Sequence, residues 1–262
     1  LALVPWWLYL QKNGNPNRVI PFFVLAGFIF AFGHLTRSHA ATPTLIFICL
    51  SLLFFSDHYS RKLKLISILG LTVAMSLMYI GFDTLLQQRI AYLASIGTPL
   101  ELSDNRYMWH VVYKSLGYLW NTFGYADWSG HEPSDTFVAL KALEINPNIL
   151  HASTAYENIL RHETFEFIKQ HPLFFLSTVF GKFGVVCMYI LMFTNIGLVL
   201  AIYYSKGIVF NLLFAIGIGL NTLWAIAGIP AYHYLMGLFT FCTLFNVYSI
   251  DYAVKIRLSS HH

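Results

Sequence analysis

Arg37 stands alone between two apolar runs, in the segment HLTRSHAATP. An arginine at the bilayer centre costs about 2.5–3.5 kcal/mol even on the gentler scale, so a guanidinium near membrane depth needs a reason to be there. It can grip a phosphate through two parallel N–H donors, or it can anchor a helix end by reaching the lipid headgroups. A second group sits in GIPAYHYLMG, where Tyr232, His233 and Tyr234 follow one another after a turn. These three can hydrogen-bond a polar substrate at a membrane surface, or they form an ordinary aromatic belt. Together with Arg37 they are the substrate- or phosphate-binding candidates. Asp83, near the end of another apolar run, either pairs with such a cation or caps its span.

A third set lies in the long polar stretch between residues 87 and 172. His110, Asp127 and Asp135 are its candidates for proton or hydroxyl chemistry, and Asp127 and Asp135 flank WSGHEPS as a possible carboxylate pair or as solvated loop acids. The stretch also holds His131, His151, His162 and His171, but no HxH or HxxxH spacing, so no metal site is expected. Cys49, Cys187 and Cys242 fall inside apolar runs without a spaced pattern and read as packing thiols. GxSxG, P-loop, GxGxxG and CxxC motifs are absent from the sequence, so hydrolase, nucleotide and thiol-redox chemistry lack support and no cofactor is expected.

The elements that must position these residues are apolar helices. The chain is 57% hydrophobic and 11% charged, against about 25% charged in a soluble domain, which places it in the membrane class. Its 16 lysines and arginines are scattered between apolar runs and form no basic stripe, so no nucleic-acid partner is expected. A hydrocarbon core takes about 20 apolar residues per helix. Candidate spans run over 19–35, 43–55, 65–86, 183–204, 207–228 and 233–254, and residues 1–10 read as the end of an earlier one. The expected fold is therefore an all-α polytopic membrane protein of about six or seven transmembrane helices with one mostly helical extracytoplasmic domain. Residues 1–86 form the first group of spans, 87–172 the loop domain, 173–254 the second group and 255–262 a cytoplasmic tail.

Charge placement orients it. Lys12, Arg18, Arg61, Lys62, Lys64, Lys206, Lys255 and Arg257 fall in short connections on one side, as the positive-inside rule expects of the cytoplasm. The long loop falls on the other side with Glu101, Asp104, Asp127, Glu132, Asp135, Glu144, Glu157, Glu163 and Glu166. Residues 87–172 are thus expected outside the cytoplasm, with a bacterial inner membrane as the location. Within the loop, helices are expected from about Asp135 to Glu144 behind Pro133-Ser134 and from about Ala155 to Gln170, where Thr154 and Glu157 have capping-box spacing. A further helical stretch is expected around Tyr107–Trp120. His171-Pro172 should end the second helix, Leu173–Phe180 reads as an interfacial continuation, and Lys182 can snorkel to the headgroups before the next span.

The segments RYMWHVVYKSLGYLWNTFGYADW and STAYENILRHETFEFIKQHPLFFLSTVFGKF resemble the extracytoplasmic loop and following helix of bacterial GT-C-type membrane glycosyltransferase-like proteins. Trp109, His110 and Tyr113 match its Trp-His-x-x-Tyr stretch, and Leu116-Gly117 and Asn121 the elements after it. Tyr156-Glu157 and His171-Pro172 match a later pair and helix end. LTRSHAATP is similar to an Arg- or Lys-bearing turn, and IPAYHYLMGLFTF to a terminal Tyr-Arg-Tyr element in which His233 replaces the commoner Arg. The likeness covers about residues 20–250 and makes this chain the C-terminal portion of such a protein.

The resemblance implies transfer of a sugar from a polyprenyl-phosphate carrier on the extracytoplasmic side, with membrane lipid and the lipid-linked sugar as partners. The catalytic carboxylate would lie in an earlier loop upstream of Leu1, so the catalytic residue itself is unknown here. Arg37 would meet the carrier phosphate, and the loop helices would shape the acceptor cleft. Two alternatives stay open: a non-catalytic scaffold subunit bound to other membrane subunits in a larger complex, and a polysaccharide ligase or polymerase using Arg106, His110 and Arg161. A transporter fits less well, because no span carries paired charges or matched Gly/Pro breaks.

Overall fold

A computed structural model describes residues 2–36, 41–97, 108–119, 134–151, 153–204 and 208–259, and every regular element among them is helical. In chain order these are α1 Leu3–Asn13, α2 Val19–Thr36, α3 Thr42–Phe55, α4 Arg61–Ser95, α5 Met108–Leu116, α6 Asp135–Ile145, α7 Thr154–Gln170, α8 Pro172–Tyr204, α9 Ile208–Ala227 and α10 Tyr232–Ser259. Short 3-10 turns at Pro16–Arg18 and Gly117–Leu119 precede α2 and follow α5.

Among the described residues four helical stretches are long and apolar enough to cross a membrane: Pro16–Thr36, Arg61–Ser95, Pro172–Tyr204 and Phe210–Ala227. In α4 and α8 only 17% of the apolar window is buried within the protein, so lipid is the natural cover for side chains such as Leu69, Leu77, Leu191 and Val199. Their 35 and 33 residues make rods of about 50 Å, against a hydrocarbon core of about 30 Å. Each is longer than a single crossing needs. α4 indeed runs without a break through residue 86, the expected span end, to Ser95. Asp83 is exposed within α4, well before the end of that helix. α3 has 14 residues, short for a crossing, and α10 is long but mixes tyrosines and Asn246 into its apolar run.

The chain divides into two compact units. One comprises Leu1–Tyr92, Ile190–Asn221 and Met236–His262. Its core gathers Trp7, Phe22, Phe23, Phe47, Ile48, Leu52, Phe214 and Phe241. The indole N–H of Trp7 donates to Ser51 Oγ at 3.0 Å, and the Tyr59 hydroxyl donates to the Leu10 carbonyl at 3.1 Å, tying α1 to α3 and to the turn after it. α2 crosses α4 at Gly27, where a Cβ would stand 2.5 Å from the Leu71 carbonyl oxygen, so only glycine permits that approach. Later in the unit the Asn246 amide inserts into α8, accepting from Gly197 N–H and donating to the Phe193 carbonyl, both at 2.6 Å. One side chain thus satisfies a backbone donor and acceptor where water is scarce.

The other unit comprises Leu93–Tyr189 and Thr222–Leu235. Tyr113 and Leu116 of α5, Val138 and Ala142 of α6, Tyr156, Leu160 and Phe167 of α7 and Phe174 of α8 form its core. α8 begins at Pro172 and runs unbroken, so Leu173–Phe180 is the first part of a long helix. Here one expectation fails. Lys182 does not snorkel: it is buried at 2% exposure, and its ammonium donates to the Ile226 carbonyl at 3.1 Å in the last turn of α9. A cation there meets the negative end of the helix dipole and one of the carbonyls a helix end leaves unpaired. Ser115 Oγ donates to the next carbonyl, that of Ala227, at 2.9 Å.

Candidate functional site

Three helices of this second unit meet around His110. α6 starts at Asp135 because Ser134 caps it, its Oγ accepting the Phe137 N–H at 3.2 Å, as the Pro133-Ser134 pattern implies. α7 starts one residue earlier than the capping-box spacing suggests: Ser153, not Thr154, is its cap, accepting the Tyr156 N–H at 3.1 Å. That frees Glu157 from any capping role in its own helix. Its carboxylate, wholly buried, crosses to the start of α5, where Oε2 accepts the Trp109 N–H at 2.7 Å and Oε1 the His110 N–H at 3.3 Å. Those amides belong to the first turn of α5, which has no partners of its own, and a carboxylate there also complements the helix dipole.

With α5 so held, the His110 ring is bonded at both nitrogens. Nδ1 lies 2.6 Å from the hydroxyl of Tyr156, the residue next to Glu157, and Nε2 lies 3.0 Å from Asp135 Oδ1. An ionised carboxylate only accepts, so Nε2 carries the proton toward Asp135, and in the neutral ring Nδ1 accepts from the phenol. Lys114, one turn along α5, adds its ammonium to the same Oδ1 at 2.9 Å. The His151 ring stands 4.9 Å from Tyr156, and the Arg161 guanidinium lies 5.8 Å from the Trp109 ring centroid.

Burial grades this network from inside to outside. Tyr156 and Glu157 are fully enclosed, the His110 side chain is 6% exposed, that of Lys114 24%, and that of Asp135 74%. Burial pushes the Glu157 carboxyl above its ordinary range, more than the two backbone donors draw it down. The hydrogen bonds from His110 and then Lys114 hold Asp135 below the usual carboxylate range. Asp135 is therefore an ionised, solvent-facing acceptor on a rigid mount, and its neighbour Lys114 is a donor.

Two of the candidates named from residue type alone, His110 and Asp135, are thus direct partners, although 25 residues separate them. Tyr232 and Tyr234 are exposed in the first turn of α10, with the Tyr232 ring 6.0 Å from that of Tyr189. His233 belongs to the same turn, but its side chain, like Arg37, Arg106 and Asp127, lies outside the described residues. Lys114 was missed as a site residue, and Lys182 was expected at the headgroups rather than on a helix end. The four-residue step from His110 to Lys114 was the available signal for the first, and nothing in the sequence points Lys182 at a carbonyl 44 residues away.

No family model, no curated protein and no solved structure matches this chain.

Removing the Glu157 carboxylate should strand two amides. Glu157→Ala is expected to lower the stability of this unit by about 1–3 kcal/mol, with Glu157→Gln recovering part of the loss, measured by thermal unfolding in detergent. An unchanged midpoint for both variants would contradict the role given to Glu157. The depressed Asp135 carboxyl has its own signature. A carboxylate whose folded pKa is lowered stabilises above its unfolded value, and that contribution fades as pH falls through the folded one. The gap in midpoint between wild type and Asp135→Asn should therefore be present at neutral pH and close as pH drops below about 4. A gap of constant size across that range would show that the ion pair is not its source.

Proposed function

We propose that this chain is the later portion of a GT-C-type membrane glycosyltransferase, taking a sugar from a polyprenyl-phosphate carrier on the extracytoplasmic side. α3 and α10 would complete six spans beside the four long apolar stretches, and α5, α6 and α7 would form the water-facing domain. The observation that carries this reading is the His110–Asp135–Lys114 network, built on buried Tyr156 and Glu157 in the same unit that pins α5 to the end of α9. A lipid-linked donor keeps its tail in hydrocarbon and its phosphate at the interface. An enzyme acting on it needs polar groups held rigidly where apolar helices emerge into water, and a network supported by buried Tyr156 and Glu157 is consistent with that need. Arg37 and the Tyr232–Tyr234 turn are the candidates for the phosphate, as the resemblance implies.

A second reading, a non-catalytic scaffold subunit of a larger membrane complex, draws on one specific fact. Both ring nitrogens of His110 are already engaged within the protein, so its imidazole has no free position for a substrate proton. The same fact weighs against a ligase or polymerase that would use His110 directly.

Lipid extraction separates the readings. Protein purified from native membranes in mild detergent should retain polyprenyl monophosphate enriched over bulk membrane lipid, and Arg37→Ala should reduce that enrichment about tenfold or more, the weight of a charge-assisted hydrogen bond. Bulk phospholipid alone, together with a stoichiometric protein partner, would point to the scaffold.

A further inference from the structure

We infer that Asp135 and Lys114 form a subsite for the hydroxyl groups of a sugar, with His110, Tyr156 and Glu157 as positioning residues behind it. The inference deepens the glycosyltransferase reading by naming what the wet end of the site holds. Among the described residues Asp135 takes two hydrogen bonds, both on Oδ1, from His110 Nε2 at 3.0 Å and Lys114 Nζ at 2.9 Å. Among the described residues Oδ2 has no hydrogen-bond partner, on a side chain that is 74% exposed. Lys114 spends one of its three donors on Asp135. An acceptor oxygen and an ammonium donor therefore stand side by side at the surface, and their charges offset one another.

That combination favours a neutral ligand with paired donor and acceptor character. A hydroxyl can give its proton to Oδ2 while its oxygen accepts from the ammonium, and neighbouring hydroxyls on a pyranose ring repeat the pattern. A phosphate would be repelled by the Asp135 carboxylate, and a simple cation by Lys114. The pair also differs from an ordinary surface ion pair, which holds two flexible side chains for little gain. Here the carboxylate is aimed by a ring with 6% exposure, the ring is fixed by a wholly buried phenol, and the backbone under the ring is fixed by a wholly buried carboxylate. Such second-layer support is what keeps a binding group in one geometry.

The hydroxyls can belong to a soluble acceptor or to the lipid-linked donor, and the test distinguishes them. The full chain in lipid nanodiscs, labelled with 15N-histidine, reports on His110 Nε2, whose signal is assigned by its loss in His110→Gln. Methyl α-D-glucopyranoside, methyl α-D-mannopyranoside and methyl β-D-galactopyranoside are titrated in turn, with sodium phosphate as the anion control. A saturable shift with at least one glycoside and none with phosphate is expected. The affinity should fall about tenfold or more in Asp135→Asn and in Lys114→Met, as for loss of a charged hydrogen bond. Since Asp135→Asn can disturb packing, retention of the remaining histidine signals certifies the fold, and Lys114→Met provides the independent arm. A second titration with a short-chain polyprenyl-phosphate mannose assigns the subsite to the donor if it displaces the glycoside, and to the acceptor if both bind together. No shift with any of the three glycosides, or an equal shift in both variants, overturns the inference. Glycoside binding without polyprenyl phosphate retention would leave the subsite standing and remove the glycosyltransferase reading alone.

Discussion

A single buried carboxylate, that of Glu157, sets the geometry of the second unit. Two amides at the start of α5 need acceptors, and in a packed interior an unmet donor costs about 1–3 kcal/mol. Glu157 meets both from α7, which fixes the rotation of α5 about its axis. The consequences follow the helical repeat. His110 and Lys114, one turn apart, face α6 and converge on Asp135. Val111 and Ser115, also one turn apart, face the end of α9, with the Val111 side chain near Gly228 and Ser115 on the Ala227 carbonyl. Tyr113 and Leu116 enter the core with Tyr156 and Leu160. α5 is only nine residues long, too short to be stable alone, so its form depends on these contacts.

The same rule, that backbone polar groups away from water must find partners, explains the polar side chains among the apolar helices. Asn246 completes the ladder of α8 around Gly197, and Lys182 and Ser115 close the carboxyl end of α9. In each case the partner is a backbone group, so the residue serves the helix it touches. This separates Lys182 from the usual expectation for an ionisable group in a membrane helix. Its ammonium donates to the Ile226 carbonyl, and the His110–Asp135–Lys114 network lies on other helices, α5 and α6.

Much of the helical layout was readable from the sequence, because apolar runs of about 20 residues have few alternatives to helix. The loop helices were readable too, from Ser134 ahead of α6 and from the polar and apolar spacing of α7. What failed did so for identifiable reasons. Thr154 and Glu157 have the spacing of a capping box, but Ser153 lies next to Thr154 and takes the cap, and tertiary packing claims Glu157. Lys182 sits near an expected span end, where snorkelling is the default, and only the neighbouring helix end reveals why it turns inward. His110 and Asp135 were each visible as residue types, yet their pairing depends on three helices whose packing no local pattern encodes. Asp127, Arg37 and the His233 side chain lie outside the described residues, so the proposed pairing of Asp127 with Asp135 and the phosphate role of Arg37 rest on sequence alone.

The proposed placement of this unit outside the cytoplasm is the claim on which the glycosyltransferase reading rests, since a lipid-linked sugar would be met there only across the bilayer from Arg61 and Lys62. Single cysteines at two exposed positions, Asn148→Cys after α6 and Lys62→Cys at the start of α4, test it directly in a chain with Cys49, Cys187 and Cys242 replaced by alanine. In intact cells a membrane-impermeant maleimide should label position 148 and reach position 62 only after permeabilisation. Labelling of both positions under the same condition would put the network and the basic turn in one compartment and contradict the proposed arrangement.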